Sequence, residues 1–246
     1  MRAVTVIQPC SLGDILILAG GVQQYALKHD CRILWPVMAR YKETLKHIIF
    51  PHEVSFVYLD APQTREDAVQ SVYRQCHDAG ADVLDLAFGF RGTLNQLGED
   101  LWRSMGLPFD AAKYKLMDIP LSHKYDLQRM SPPIMGIPKQ LESYGIFHDT
   151  KADGYQIAFD REYLRRLCPA AKLWYRVEDL GVPLWSWACR IEAAECYVGV
   201  DSAVSNMVDL MGLRKGRRFF HRQVERYVEP TLTMMTPTLA EGWEQI

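Results

Sequence analysis

Apolar positions along this chain change period repeatedly, and each change marks an element. Residues 3–8 form a β-rich run. From 13 to 28 the period is helical, with Ile15, Leu18, Val22, Tyr25 and Ala26 on one face. Strand patterns return at 32–37, 54–59 and 82–87. Between them the spacing predicts a helix over 40–48 and a long polar helix over 63–79, in which Ala68, Val72 and Cys76 recur every fourth residue. Strands alternating with helices at this spacing predict βαβ units and a parallel sheet over roughly residues 1–110.

The middle is less regular. Residues 88–92 (FGFRG) read as a turn that places Arg91 at the carboxyl end of the fourth strand, and 95–105 as a helix. The stretch 113–120 carries Tyr114 and Lys115, and 131–138 (SPPIMGIP) reads as a linker or a strand entry at a domain boundary. Alternation then resumes. Strands are expected at 154–159, 172–177, 196–200 and 217–221. Helices are expected from a cap at Asp160 to 167, from near Pro183 to 194, and over 202–211, closed by Gly212. The Thr-rich tail from about 231 reads as a helix packing back or a loose end. The pattern as a whole predicts an α/β fold of two Rossmann-like domains facing each other across a cleft, 1–125 and 126–246. A single, larger doubly wound sheet is the rival arrangement.

Composition narrows the function classes. With 246 residues, 48% hydrophobic and 24% charged, the chain can bury a real core. A net charge of −2 gives no global basic field for nucleic acid. The six cysteines show no CxxC spacing and read as reduced, buried thiols; the seven histidines show no HxH or HExxH, so no metal site is expected. With no signal peptide and no apolar run long enough to span a bilayer, a cytoplasmic protein without membrane insertion is expected. There is no GxGxxG, no acid at the end of the second strand, and no GxxxxGK[ST], which excludes the dinucleotide-binding and P-loop fingerprints.

Two turns carry candidate chemistry. In IQPCSLGDI (7–15) a strand runs through a Gly13 turn into a helix opening near Asp14, which can be a cap or a general base. In YVGVDSAVSN (197–206) a second strand delivers Asp201 and Ser202 to a helix start. There the hydroxyls of Ser202 and Ser205 and the first-turn N–H groups can cradle a phosphate, or Asp201 or Ser202 can be a plain cap. Glu178 can accept from a ribose or be a surface acid. Arg190 can reach a phosphate or be a surface cation. Arg40 and Arg91 follow strands and can approach an acceptor. Arg214, Lys215, Arg217, Arg218, Arg222 and Arg226 form a basic run, either a solvated face or a contact for nucleotide phosphates or a DNA backbone. Trp174, Trp185 and Trp187 suit a core, with Trp185 also placed to lie against a nucleobase.

SLGDILILAGGVQQYALK (11–28) resembles the N-terminal signature of the ADP-heptose:lipopolysaccharide heptosyltransferases, in which a strand leads into a GD-[IV] turn and a helix. WSWACRIEAAECYVGVDSAVSNMVDLMG (185–212) resembles their C-terminal signature, a helix, then a V-G-x-D-(S/T) turn and a further helix. The two stand in the family's order, one per expected domain. The resemblance implies a GT-B glycosyltransferase with a trimmed second domain. The nucleotide sugar would lie mainly on the C-terminal domain and the acceptor on the N-terminal one. It implies inversion, no catalytic metal, and no cofactor beyond a nucleotide-diphosphate sugar as co-substrate, moving a hexosyl, pentosyl or heptosyl group. By position, Asp14 would be the base, and the Asp201, Ser202 and Ala203 turn would hold the donor diphosphate; beside that carry-over, the residues themselves add Ser205, Asn206, Glu178 and Arg190 to the expected donor set. Ser11, Gly13, Arg40 and Arg91 would bind the acceptor. Two positions depart from the signature: its Gly is Ala203, the less permissive backbone, and its His is Asn206, which carries no charge. These departures support the alternative of a catalytically silent nucleotide-sugar-binding module. Small proteins of this kind also occur in bacteriophage genomes, so the expected acceptors are a glycan, a small molecule or a hydroxymethylated base in phage DNA.

Overall fold

A computed structural model describes residues 1–8, 11–60, 64–88, 95–134, 142–150, 156–177, 184–213, 215–221 and 237–246. The chain divides into two compact units. The first holds Met1–Ser131 and takes in Pro237 and Thr238; the second begins at Pro132 and includes Leu239–Ile246. Among the described residues no helix is long and apolar enough to cross a membrane.

The first unit is a four-stranded parallel sheet. Its strands are β1 (Arg2–Ile7), β2 (Cys31–Met38), β3 (Val54–Leu59) and β4 (Asp82–Asp85), in the order β3-β2-β1-β4. Helix α1 (Leu12–His29) joins β1 to β2, and Asp30 closes it in the left-handed region. From Ile15 to Val22 this helix is buried all round, because it lies in the core with polar positions gathered only at its ends. Gly20 and Gly21 permit that burial. A Cβ on Gly20 would meet the His123 carbonyl oxygen at 1.9 Å, and one on Gly21 the Tyr114 ring at 2.8 Å. The expected helix at 40–48 is shorter: a 3₁₀ turn, Ala39–Tyr41, runs into α2 (Lys42–Leu45). Helix α3 (Arg65–Ala79) joins β3 to β4, opens on a capping box of Thr64 with Asp67, and packs Val69, Val72 and Cys76 against Ile7.

The 95–105 helix is broken into α4 (Gln96–Glu99) and a π turn, Asp100–Ser104. It packs Leu101 and Trp102 with Phe88 and Ala112. The unassigned stretch around Tyr114 proves to be α5 (Phe109–Met117), followed by a 3₁₀ segment, Leu121–Asp126, and α6 (Leu127–Met130). Tyr114 locks α5 to α1: its hydroxyl donates to Ile17 O at 2.8 Å and accepts from Gly21 N at 3.0 Å. A buried ion pair, Lys124 with Asp110, completes the unit. Asp110 also accepts from Thr238 N and Oγ1, at 3.0 and 3.1 Å.

The second unit is a five-stranded parallel sheet in the order β6-β5-β7-β8-β9. Of the strand expected at 154–159, residues 154 and 155 lie outside the described residues; Gln156 makes an isolated bridge to Thr150, and 157–159 are not strand. The strand is instead β5 (Tyr144–His148), because Tyr144, Gly145 and Ile146 are buried between two neighbours while Phe159 packs from the side. Then follow α7 (Arg161–Leu167), capped by Asp160, β6 (Leu173–Arg176), α8 (Trp185–Ala193), β7 (Cys196–Gly199), α9 (Ala203–Leu210) and β8 (Arg217–Phe220). The tail ends neither as a helix nor loose but as a further strand, β9 (Trp243–Gln245), paired with β8. Trp243 sits edge-on to Tyr197 and Phe220, and its indole N–H donates to Asp209 at 2.9 Å. The rival single sheet is excluded, since the strands form two separate parallel sheets.

Candidate functional site

Each sheet reverses its strand order once. In the first, the chain steps from β1 outward to β2 and β3, then returns to the other side of β1 for β4. In the second it steps from β5 to β6, then crosses to β7. At such a reversal the connections leave to opposite sides and open a crevice beyond the carboxyl ends of the strands. Both sequence-derived turns lie at these reversals.

At the β1/β4 reversal the N-cap of α1 is Ser11, not Asp14. Ser11 Oγ accepts from Asp14 N at 3.2 Å and donates to Asp14 Oδ2 at 2.5 Å. The other carboxylate oxygen accepts from Lys113 Nζ at 2.8 Å, with the lysine side chain 4% exposed and that of Asp14 20%. Gln8 closes the cluster. With its amide nitrogen toward Leu86 O it donates there at 2.8 Å, and its oxygen accepts from Lys113 Nζ at 3.2 Å. The ammonium also lies over the Phe109 and Phe88 rings, at 5.2 and 5.7 Å. Lys113 reaches this place because α5 packs on the glycine pair of α1, which sets the residue beside Tyr114 over the turn. Gly13 is buried in the first turn of α1. Arg40 follows β2 on the same edge of the sheet, exposed and donating to Tyr41 Oη at 3.0 Å. Asp85, at the end of β4, has its pKa raised by burial, against hydrogen bonds from Tyr73, Ala87 N and Asn95.

At the β5/β7 reversal Ser202 caps α9 and accepts from Ser205 N at 3.3 Å; Ala203 is the first helical residue. The opening N–H groups of the helix have no intrahelical acceptor and carry its positive dipole end. Ser205 is turned inward: its hydroxyl donates to Val200 O at 2.6 Å and lies 3.0 Å from Tyr197 Oη. Asn206 is buried one turn further in, and its N–H donates to Ser202 O at 3.0 Å. Arg190 is exposed on α8, its guanidinium 5.2 Å above the Trp187 ring. Glu178 and Arg91 lie outside the described residues. Of the basic run, Arg217 is paired with Glu244, and Arg218 is buried, donating to Glu241 O and lying over Trp243. These two are therefore committed within the unit.

Three residues of this edge are absent from the sequence reading. His148, at the end of β5, places Nδ1 3.0 Å from Ser202 Oγ, and burial lowers its pKa to about 4, so the ring is neutral near pH 7. Asp149 is buried. Burial pushes its pKa up, but hydrogen bonds from Gln156, Arg176 and Thr150 outweigh this and hold it below the usual carboxylate range. Arg176, at the end of β6, donates from Nε to both Asp149 oxygens at 3.0 Å. The signal for His148 and Asp149 was the apolar run YGIF ending in HD, which marks a strand with polar residues at its carboxyl end; Arg176 lies within the expected strand 172–177, near its carboxyl end. Among the described residues no three His, Cys, Asp or Glu side chains cluster to hold a metal.

No protein-family model and no curated protein matches the chain. Solved structures do. TibC, an iron-containing dodecameric glycosyltransferase from enterotoxigenic E. coli H10407, is 13% identical over 89% of this chain, with a TM-score of 0.55. A second TibC structure, in complex with ADP-D-β-D-heptose, matches at 11% identity, 89% coverage and the same TM-score. A glycosyl transferase family 9 protein from Veillonella parvula DSM 2008 is 9% identical over all of this chain and 86% of its own length, with a TM-score of 0.50. The chain spans 58% of the length of TibC. At these identities the likeness is one of fold: this chain shares the two-domain, GT-B-type α/β fold of these proteins.

Proposed function

We infer that the chain is an inverting glycosyltransferase. In this reading it moves a sugar from a nucleotide-diphosphate donor to an acceptor hydroxyl, with the acceptor assigned to the first unit and the donor to the second. The observation that carries it is the coincidence, in each sheet, of the strand-order reversal with a built polar turn: Ser11, Asp14 and Lys113 at one, His148 and Ser202 at the other. The fold shared with TibC supports it.

Asp14 is the general base. Its carboxylate takes the proton of the acceptor hydroxyl as that oxygen attacks the anomeric carbon. The bond from that carbon to the diphosphate oxygen breaks, and the nucleoside diphosphate leaves with the electron pair. Lys113 and Ser11 fix both carboxylate oxygens, so the base is held in place before substrate arrives. The developing charge on the leaving diphosphate is met by the opening N–H groups of α9 and the dipole behind them, a role that no residue here needs a metal or cofactor to perform. The side chain at Ala203 leaves its own N–H available, and Asn206 supports the helix from within. A second reading, the silent binding module, draws on one observation: proton uptake by Asp14 has to disrupt a buried ion pair. In the transferase reading the acceptor is a glycan, a small molecule or a modified base, and the commitment of Arg217 and Arg218 within the unit gives DNA no added support.

The test is a thermal-stabilisation screen with nucleotide sugars, followed by mass spectrometry of the products with saccharide, small-molecule and hydroxymethylated-DNA acceptors. At least one nucleotide sugar should raise Tm in a concentration-dependent manner and be consumed. A screen in which none shifts Tm contradicts the reading; binding without turnover in any acceptor arm favours the silent module.

A further inference from the structure

Outside the turns read from the sequence, the second unit carries an arginine held in a way that a surface cation is not. Arg176 ends β6 in register with Phe147, one residue before His148, and His148 is in register with Gly199 at the end of β7. The three adjacent strand ends thus carry a connected polar chain. Arg176 Nε donates to both oxygens of Asp149, and Arg176 Nη2 donates to Thr150 Oγ1 at 3.3 Å. Asp149 also accepts from Gln156 Nε2 at 3.2 Å and from Thr150 Oγ1 at 3.0 Å. Its backbone neighbour His148 meets Ser202, the cap of α9.

Asp149 is 4% exposed and the Arg176 side chain 34%. The carboxylate is therefore the buried anchor and the guanidinium its outer face. Nη1 has no protein partner among the described residues, while Nε and Nη2 are both used to fix the plane of the group. A guanidinium clamped along one edge with the other edge unspent is preorganised for a bidentate or bridging contact to phosphate oxygens. A freely rotating surface arginine would first have to lose its side-chain entropy.

We propose that Arg176, held by Asp149, is the cation that contacts the diphosphate of the donor, and that it sets the preference of this site for a diphosphate over an uncharged nucleoside. The inference rests on the donor assignment to the second unit. Arg176 supplies the full charge that the α9 N-terminus lacks.

Isothermal titration calorimetry with ADP, GDP, UDP and dTDP, each beside its parent nucleoside, tests this on the full chain. The variant is Arg176→Met with Asp149→Asn, which removes both charges together and leaves no buried ion unpaired; circular dichroism checks its fold. Arg176→Lys keeps the charge and loses the clamped geometry. The wild type should bind one diphosphate at least tenfold more tightly than its nucleoside. The double variant should lose about tenfold or more in diphosphate affinity with nucleoside affinity within about twofold, and Arg176→Lys should fall between. A folded double variant that binds the diphosphate as the wild type does overturns the inference and leaves the donor assignment standing. A wild type that binds none of the four diphosphates overturns the donor assignment itself.

Discussion

Mild acid is expected to destabilise the second unit through one residue, His148. Its imidazole is 5% exposed and tied to Ser202. Burial takes its pKa from 6.5 to about 4, against the upward pull of Asp149 and with a further downward push from Arg176. The folded pKa lies below the unfolded one, so between these values the unfolded chain binds the extra proton. The stability contributed by the neutral ring is complete above about pH 6.5 and is lost as pH falls toward 4. At about 1.4 kcal/mol per pH unit the full gap corresponds to about 3 kcal/mol, of which about 2 kcal/mol is lost between pH 7 and pH 5. His148→Asn removes the titration while its side-chain amide can still meet Ser202. Urea unfolding followed by tryptophan fluorescence at pH 5, 6 and 7 measures both proteins, and carboxylate titrations common to the two cancel in the difference. The stability advantage of the wild type over the variant should shrink by about 2 kcal/mol from pH 7 to pH 5. Curves that stay parallel across this range would refute the claim that the ring is held neutral by burial.

Two further outcomes follow from buried ion pairs in the first unit. Lys124→Met strands the fully buried Asp110 and should cost about 3–5 kcal/mol in chemical denaturation, with at least half recovered on adding Asp110→Asn; an unchanged midpoint in the single variant contradicts the pairing. Lys113→Met leaves Asp14 without its cation but partly hydrated, so about 2–3 kcal/mol is expected, read by calorimetry as a fall in Tm of about 5–10 °C, and a fall under about 2 °C would show that the pair holds nothing.

What the sequence disclosed, and what it hid, follows from the range of the interactions involved. The β1–α1 and β7–α9 turns were legible because they are local: an apolar strand, a short polar turn and a helical period lie within twenty residues. The identity of the cap was not, since Ser11 and Asp14 both suit a helix start and only the hydrogen bond from Asp14 N to Ser11 Oγ separates them. Lys113 lies 99 residues from the carboxylate it holds, and no local pattern marks such a partner. β5 was missed because the alternating GYQIAF outweighed the shorter YGIF run. That error moved the strand end eleven residues downstream and hid His148 and Asp149 with it. β9 spans three residues with no apolar run; it exists through pairing with β8 and through Trp243, neither of which a composition-based reading can see. The basic run looked like a surface patch in one dimension, yet Arg218 is buried beneath Trp243 in three.

The central claim is that Asp14 is the base of a sugar transfer from a nucleotide-diphosphate donor, and it is tested most directly by donor turnover in the wild type and in Asp14→Asn with donor affinity measured in both. The account predicts release of nucleoside diphosphate from one nucleotide sugar in the presence of its acceptor. It predicts a fall of about a hundredfold or more in Asp14→Asn, with the Kd for that donor within about twofold of the wild type. Turnover that is unchanged in Asp14→Asn would contradict it.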